Sequence, residues 1–233
     1  MCTVTYLPKP QHQYLLTHNR DEHHLRGIAF LPEKKMANAV ETIMPIDSKA
    51  GGTWIALSNQ FTICLLNGGF EKHKHQPPYR HSRGQIIPDF FLYNEVNEFV
   101  SKYDLHNIEP FTLIIIDNLH ADITELVFDG VHLHQSKKDR QQAHIWSSST
   151  LYSIEDRNRR KKYFARFIEK HDFSQEAIVA FHENKFETYT EEGIQINRNN
   201  VLQTVSLTSI HKAETMHLMY KDFIHHKTVS LAL

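Results

Sequence analysis

Two β-rich runs open the chain and read as a hairpin. Cys2-Thr3-Val4-Thr5-Tyr6-Leu7 is stopped by Pro8, and Gln13-Tyr14-Leu15-Leu16-Thr17 follows a short link containing Pro10. A hairpin returns its end to its start. What returns here is charged, because Asn19-Arg20-Asp21-Glu22 follows the second run. Arg20 and Asp21 are therefore expected beside Cys2, where a guanidinium lowers a thiol's pKa and a carboxylate can orient an ammonium.

Removal of Met1 makes Cys2 the amino terminus. One residue then carries a thiol and an α-amine whose ordinary pKa is about 7.7–8.0, a nucleophile and a base together. On this reading Cys2 is exposed and activated, whereas Cys64, inside an apolar strand, is a core thiol.

The rest of the chain supplies more strands than helices. His23 to Asn38 is polar, carries Pro32 and Lys34-Lys35, and reads as a loop. Thr53–Leu57 and Phe61–Leu66 flank a Ser58-Asn59-Gln60 turn and form a second hairpin, ending at Asn67-Gly68-Gly69. Ser82 can cap a helix through Leu92 that contains Pro88, and Val96, Phe99, Val100 and Tyr103 share one face of another. Phe111–Ile116, Ile123–Phe128, an Asp129-Gly130 turn and Val131–Gln135 form a meander, with Ala143–Ser147 a further strand. Ser153-Ile154-Glu155-Asp156 has the form of a capping box before a helix lined by Tyr163, Phe164, Phe167 and Ile168, and Ser174 begins another. Val201–Ile210, Thr215–Tyr220 and Thr228–Leu231 close the chain as strands. That order suits an α+β fold of two antiparallel sheets covered by helices, expected here as one domain over residues 1–233.

Met-Cys-Thr followed by Asn-Arg-Asp-Glu resembles the NRDE family, also called the transport-and-Golgi-organisation protein 2 family. Gly51-Gly52-Thr53-Trp54, Leu66-Asn67 and Ser82-Arg83-Gly84 match its later motifs in order, over about the first third of the chain. The family is similar in turn to N-terminal-nucleophile (Ntn) hydrolases of the choloylglycine hydrolase and penicillin V acylase type. That resemblance implies a four-layer αββα sandwich, with Cys2 as nucleophile, Arg20 and Asp21 supporting it and Asn67 donating to the oxyanion. Asn19, Gly68, Trp54 and Arg83 fall to the substrate side. The hydrolases' second Asn and C-terminal Arg have no counterpart, since the comparable stretches read Trp146-Ser147-Ser148-Ser149-Thr150 and Thr204-Val205-Ser206-Leu207-Thr208-Ser209.

Composition narrows the alternatives. A net charge of -1 gives no general attraction to nucleic acid or anionic membrane, and the cluster Arg157, Arg159, Arg160, Lys161, Lys162 reads as a solvated helix face. Two cysteines make no disulfide framework, and no apolar run approaches the roughly 20 residues of a membrane span. A cytoplasmic protein without membrane insertion is expected. The 18 histidines bring no metal-binding spacing with them, so no metal and no cofactor is expected.

The function expected from the sequence is an N-terminal cysteine hydrolase or acyltransferase acting on a carbon–nitrogen amide bond of a small non-peptidic or short-peptide substrate. Its partner is a small-molecule amide or acyl compound, not nucleic acid, and homo-oligomerisation is left open. The alternative is a non-catalytic trafficking or binding protein of the same family that holds lipid or haem.

Overall fold

The computed structural model describes residues 2–26, 29–120, 122–186 and 193–233. In chain order its strands are β1 (Cys2–Pro8), β2 (Tyr14–His23), β3 (Ala29–Ala37), β4 (Val40–Asp47), β5 (Ile55–Ser58), β6 (Phe61–Asn67), β7 (Phe111–Asp117), β8 (Asp122–Phe128), β9 (Leu133–Lys138), β10 (His144–Ser147), β11 (Asn197–Arg198), β12 (Leu202–Lys212), β13 (Met216–Asp222) and β14 (Lys227–Ala232). The helices are α1 (Ile86–Phe90), α2 (Val96–Lys102), α3 (Ile154–Lys170) and α4 (Gln175–His182). Two compact units result, Met1–Arg26 with Arg140–Leu233, and Gly27–Asp139. The fold class is α+β, with one seven-stranded antiparallel sheet in each unit.

In the first unit the order is β10-β1-β2-β12-β13-β14, with β11 beside β12. The opening hairpin is therefore central: β1 lies between β10 and β2, and β2 between β1 and β12. Leu7 and Leu15, a register pair, pack with Phe164, Phe167, Ile178 and Phe181 of α3 and α4, which fixes the helix-covered face. The Ser153 capping box forms with Asp156, satisfying donors that the first turn of α3 would otherwise leave unpaired.

The second unit runs β3-β4-β5-β6-β7-β8-β9. Its strands bury Ile63, Leu65, Leu113, Ile115 and Leu126 against Ile86, Ile87 and Phe90 of α1 and Phe99 of α2. Pro88 falls in the first turn of α1, where its missing N–H costs no helical bond. The stretch expected as a loop, His23 to Asn38, instead contains β3. It is an edge strand with Pro32 and Lys34-Lys35, and its pairing with β4 shifts between Phe30 and Glu33. Proline, lysine and an irregular register are how exposed edges avoid further pairing, and they also erase the strand pattern.

Two of the glycine motifs turn out to be one contact. The Thr53 backbone N–H donates to the Gly84 carbonyl at 2.9 Å, and a Cβ on Gly52 would stand 2.4 Å from the Gly84 carbonyl carbon. Backbone meets backbone there, so nothing flexible can give way. Gly52→Ala should cost about 1–3 kcal/mol, read as a lowered urea midpoint.

No helix among the described residues is long and apolar enough to cross a membrane.

Candidate active site

The register of the opening hairpin decides which side chains share a face. Cys2 lies opposite Arg20 and Thr3 opposite Asn19. Directly opposed residues project to the same side and neighbours along a strand to opposite sides. Cys2 and Arg20 therefore share one face, while Asn19 and Asp21 project to the helix-covered face. Arg20 is therefore on the thiol's side of the sheet and Asp21 on the other, as adjacent residues of a regular strand must be.

Cys2 is buried, with 2 % of its surface exposed, in the chain that still carries Met1. Burial pushes its thiol pKa up; the Asp21 charge adds to the rise and Arg20 opposes it. The expected exposed, activated thiolate is thus replaced by a neutral thiol, because desolvation outweighs the cation. Arg20 is itself buried and reaches Glu22 Oε2 at 3.5 Å along the same face.

Asp21 anchors a buried polar network. Tyr152 donates its hydroxyl to Oδ2 at 2.5 Å, and Thr204 donates to Oδ1 at 2.6 Å. The Arg160 guanidinium lies 3.6 Å above the Tyr152 ring and donates to Thr3 Oγ1 and the Gly193 carbonyl. Burial raises the Asp21 pKa, with the Arg160 charge and the two hydroxyl donors pulling against it. Asn19 spends its amide donors on the backbone carbonyls of His182 (2.9 Å) and Ile194 (3.2 Å).

His182 adds a titratable group to this face. Its Nε2 pairs with Thr5 Oγ1 at 2.8 Å, and burial, helped by the Arg160 charge, pushes its pKa down to about 3. The unfolded chain binds a proton near pH 6.5 that the folded chain refuses until much lower pH. The resulting stabilisation is complete above pH 6.5 and is lost as pH falls. Between pH 7 and 5 it should shrink by about 2 kcal/mol. Urea unfolding at the two pH values should show a loss of at least this size, and His182→Gln should reduce it by the His182 share while keeping a partner for Thr5.

The second unit carries the other motif residues. Gly68 takes φ 91 directly after Asn67, a conformation open to glycine. Its N–H donates to the Pro110 carbonyl at 2.9 Å, and Arg83 Nη1 donates to the same oxygen at 3.1 Å. Arg83 also pairs with Glu109 at 3.0 Å, a carboxylate that accepts from His73 and His75. Burial would raise the Glu109 pKa, but Arg83 and the two histidines hold it below the usual range. Trp54 is buried, and its carbonyl accepts from Leu65 N–H at 2.9 Å. Asn67, Gly68 and Arg83 thus gather near Pro110, with Trp54 immediately before β5.

The motifs in series are matched by the whole sequence, since the family model for Transport and Golgi organisation 2 covers residues 1–228. The chain belongs to that family. No curated protein matches it. Among solved structures it is similar to the mutant C2A conjugated bile acid hydrolase from Clostridium perfringens, with 11% sequence identity, a TM-score of 0.49, and coverage of 100% of this chain and 92% of that one.

In this family member Arg160 lies where the run of basic residues does not suggest it. It was expected on a solvated helix face and is 1 % exposed. The signal was present in the spacing: Arg160, Phe164 and Phe167 follow i, i+4, i+7 and form the buried stripe of α3. Tyr152 and Thr204, which hold Asp21, carried no local signal. They reach it from 131 and 183 residues away.

Proposed function

We propose that this protein is an amide-cleaving hydrolase or acyltransferase in which Cys2, freed as an amino terminus, is the nucleophile. The observation that carries the reading is the Cys2–Arg20 pair at the centre of the sheet, with the Asp21 network one residue further toward the amino end of β1. A buried thiol with a raised pKa is not a standing thiolate, so it needs a proton acceptor when it attacks. The α-amine of the same residue fills that role. Asp21 orients this amine and not the thiol, because it projects from the opposite face.

In the forward step the Sγ proton passes to the amine as the sulfur–carbon bond forms, with Arg20 beside the developing thiolate. The carbon–nitrogen bond then breaks, and the leaving nitrogen takes the proton from the ammonium. Water, or an acceptor amine, releases the acyl group from Cys2 by the same route in reverse. Asn67 is proposed as the donor to the oxyanion, with Gly68, Trp54 and Arg83 on the substrate side; Asn19, its amide donors spent on the His182 and Ile194 carbonyls, ties β2 to the helix-covered side instead.

One observation favours the second reading, a binding or trafficking protein for lipid or haem: the buried, neutral state of Cys2. Two measurements separate them. Intact mass shows whether the chain begins at Cys2, and incubation with acyl amides shows whether an acyl mass is left on Cys2 and disappears in Cys2→Ser. A retained residue ahead of Cys2, or no acyl adduct with any substrate, overturns the enzyme reading.

A further inference from the structure

The face that carries Cys2 also carries a histidine and a threonine whose side-chain polar atoms have no hydrogen-bond partner among the described residues. Val4 is opposite His18 just as Cys2 is opposite Arg20, so His18 is the diagonal neighbour of Cys2 on that face. Across the next strand pair His18 is opposite Thr208, as Arg20 is opposite Ser206. His18 and Thr208 are both fully buried. Neither ring nitrogen of His18, nor the Thr208 hydroxyl, has a hydrogen-bond partner among the described residues.

An unsatisfied buried polar group typically costs about 1–3 kcal/mol, and adjacent ones in a native fold call for a reason. Packing alone would be served better by leucine and valine at the two positions. Burial holds the His18 pKa well below its ordinary value, with Arg20 adding to the effect. The ring is therefore neutral near pH 7 and offers one donor and one acceptor. The threonine hydroxyl offers the same pair. A group presenting one C=O and one N–H matches this set. An ester lacks the N–H, and an anion cannot use the acceptor.

We propose that His18 and Thr208 form a subsite beside Cys2 for a primary or secondary amide, so that the preferred acyl donors carry an N–H next to the bond that is attacked. This deepens the nucleophile reading and rests on it.

The test uses two alkylating probes on the full chain as purified: iodoacetamide, which carries the amide, and iodoacetonitrile, which is smaller and carries no N–H. Rates at Cys2 and Cys64 are read by peptide mass mapping and normalised to N-acetylcysteine. Cys2 should favour iodoacetamide by about tenfold, the value of one hydrogen bond, with a rate that saturates in reagent. Cys64 should show no preference. His18→Leu and Thr208→Val should each bring the Cys2 ratio toward that of N-acetylcysteine, and His18→Gln, which keeps a donor and an acceptor, should retain much of it. Thr208→Val is nearly isosteric and keeps the test valid where a His18 variant fails to fold. Reaction of Cys2 without amide preference, or a preference that survives both deletions, overturns the subsite and leaves the nucleophile standing. A Cys2 that reacts with neither probe overturns both.

Discussion

Cys2→Ser should lower turnover of an acyl amide by about a thousandfold or more while leaving the unfolding midpoint nearly unchanged. Sulfur and oxygen occupy similar space, so a buried position in β1 tolerates the exchange, but a serine hydroxyl is far harder to ionise. The raised thiol pKa sharpens the expectation, because the α-amine must already work to deprotonate sulfur and has much further to go with oxygen. Asn67→Ala should act differently, lowering kcat by about 100- to 1000-fold with little change in KM, as loss of an oxyanion donor does. The checks are steady-state kinetics and urea unfolding on the same preparations. Wild-type function in Cys2→Ser would leave the binding reading in possession.

Arg160→Met should be the most destabilising of these substitutions, by about 3–5 kcal/mol. The arginine holds Thr3 and Gly193, stacks on Tyr152 and is the cation that opposes the desolvation of Asp21. Its removal strands a buried carboxylate. The expected fall in melting temperature is roughly 10 °C for a chain of this size. Asp21→Asn in the same background should recover part of the loss, since it removes the charge that was left uncompensated. An additive double mutant in a thermodynamic cycle would show that the two side chains do not act as a unit. Arg160→Lys should not rescue, because an ammonium can neither stack on the ring nor fork between two acceptors.

The parts of the fold legible in the sequence are those written in local chemistry. The opening hairpin, the Ser58 turn, the Phe111–Phe128 strands and the Ser153 cap all announced themselves by alternation, turn residues or capping side chains. β3 did not, because an edge strand is stabilised by the very residues that read as loop. Arg160 was misread because five basic residues in six suggest solvent, while its position on the apolar stripe was the better guide. The side to which Asp21 points follows from strand alternation once the register is known, and register is what sequence withholds. β1 is flanked on one side by β10, which lies more than a hundred residues away and leaves no trace near position 2.

The position of β1 between β2 and β10 also sets a clock. The first unit is built from the beginning and the end of the chain, so during synthesis the opening hairpin waits for the intervening residues before its sheet can close. At ribosomal rates of about 5–20 residues per second that wait is on the order of 10 s. In that interval the amino end of β1 is open to a processing enzyme, whereas in the finished unit Cys2 is almost wholly enclosed. On the proposed reading, trimming ahead of Cys2 is expected within that interval, and intact masses of nascent and finished chains check it.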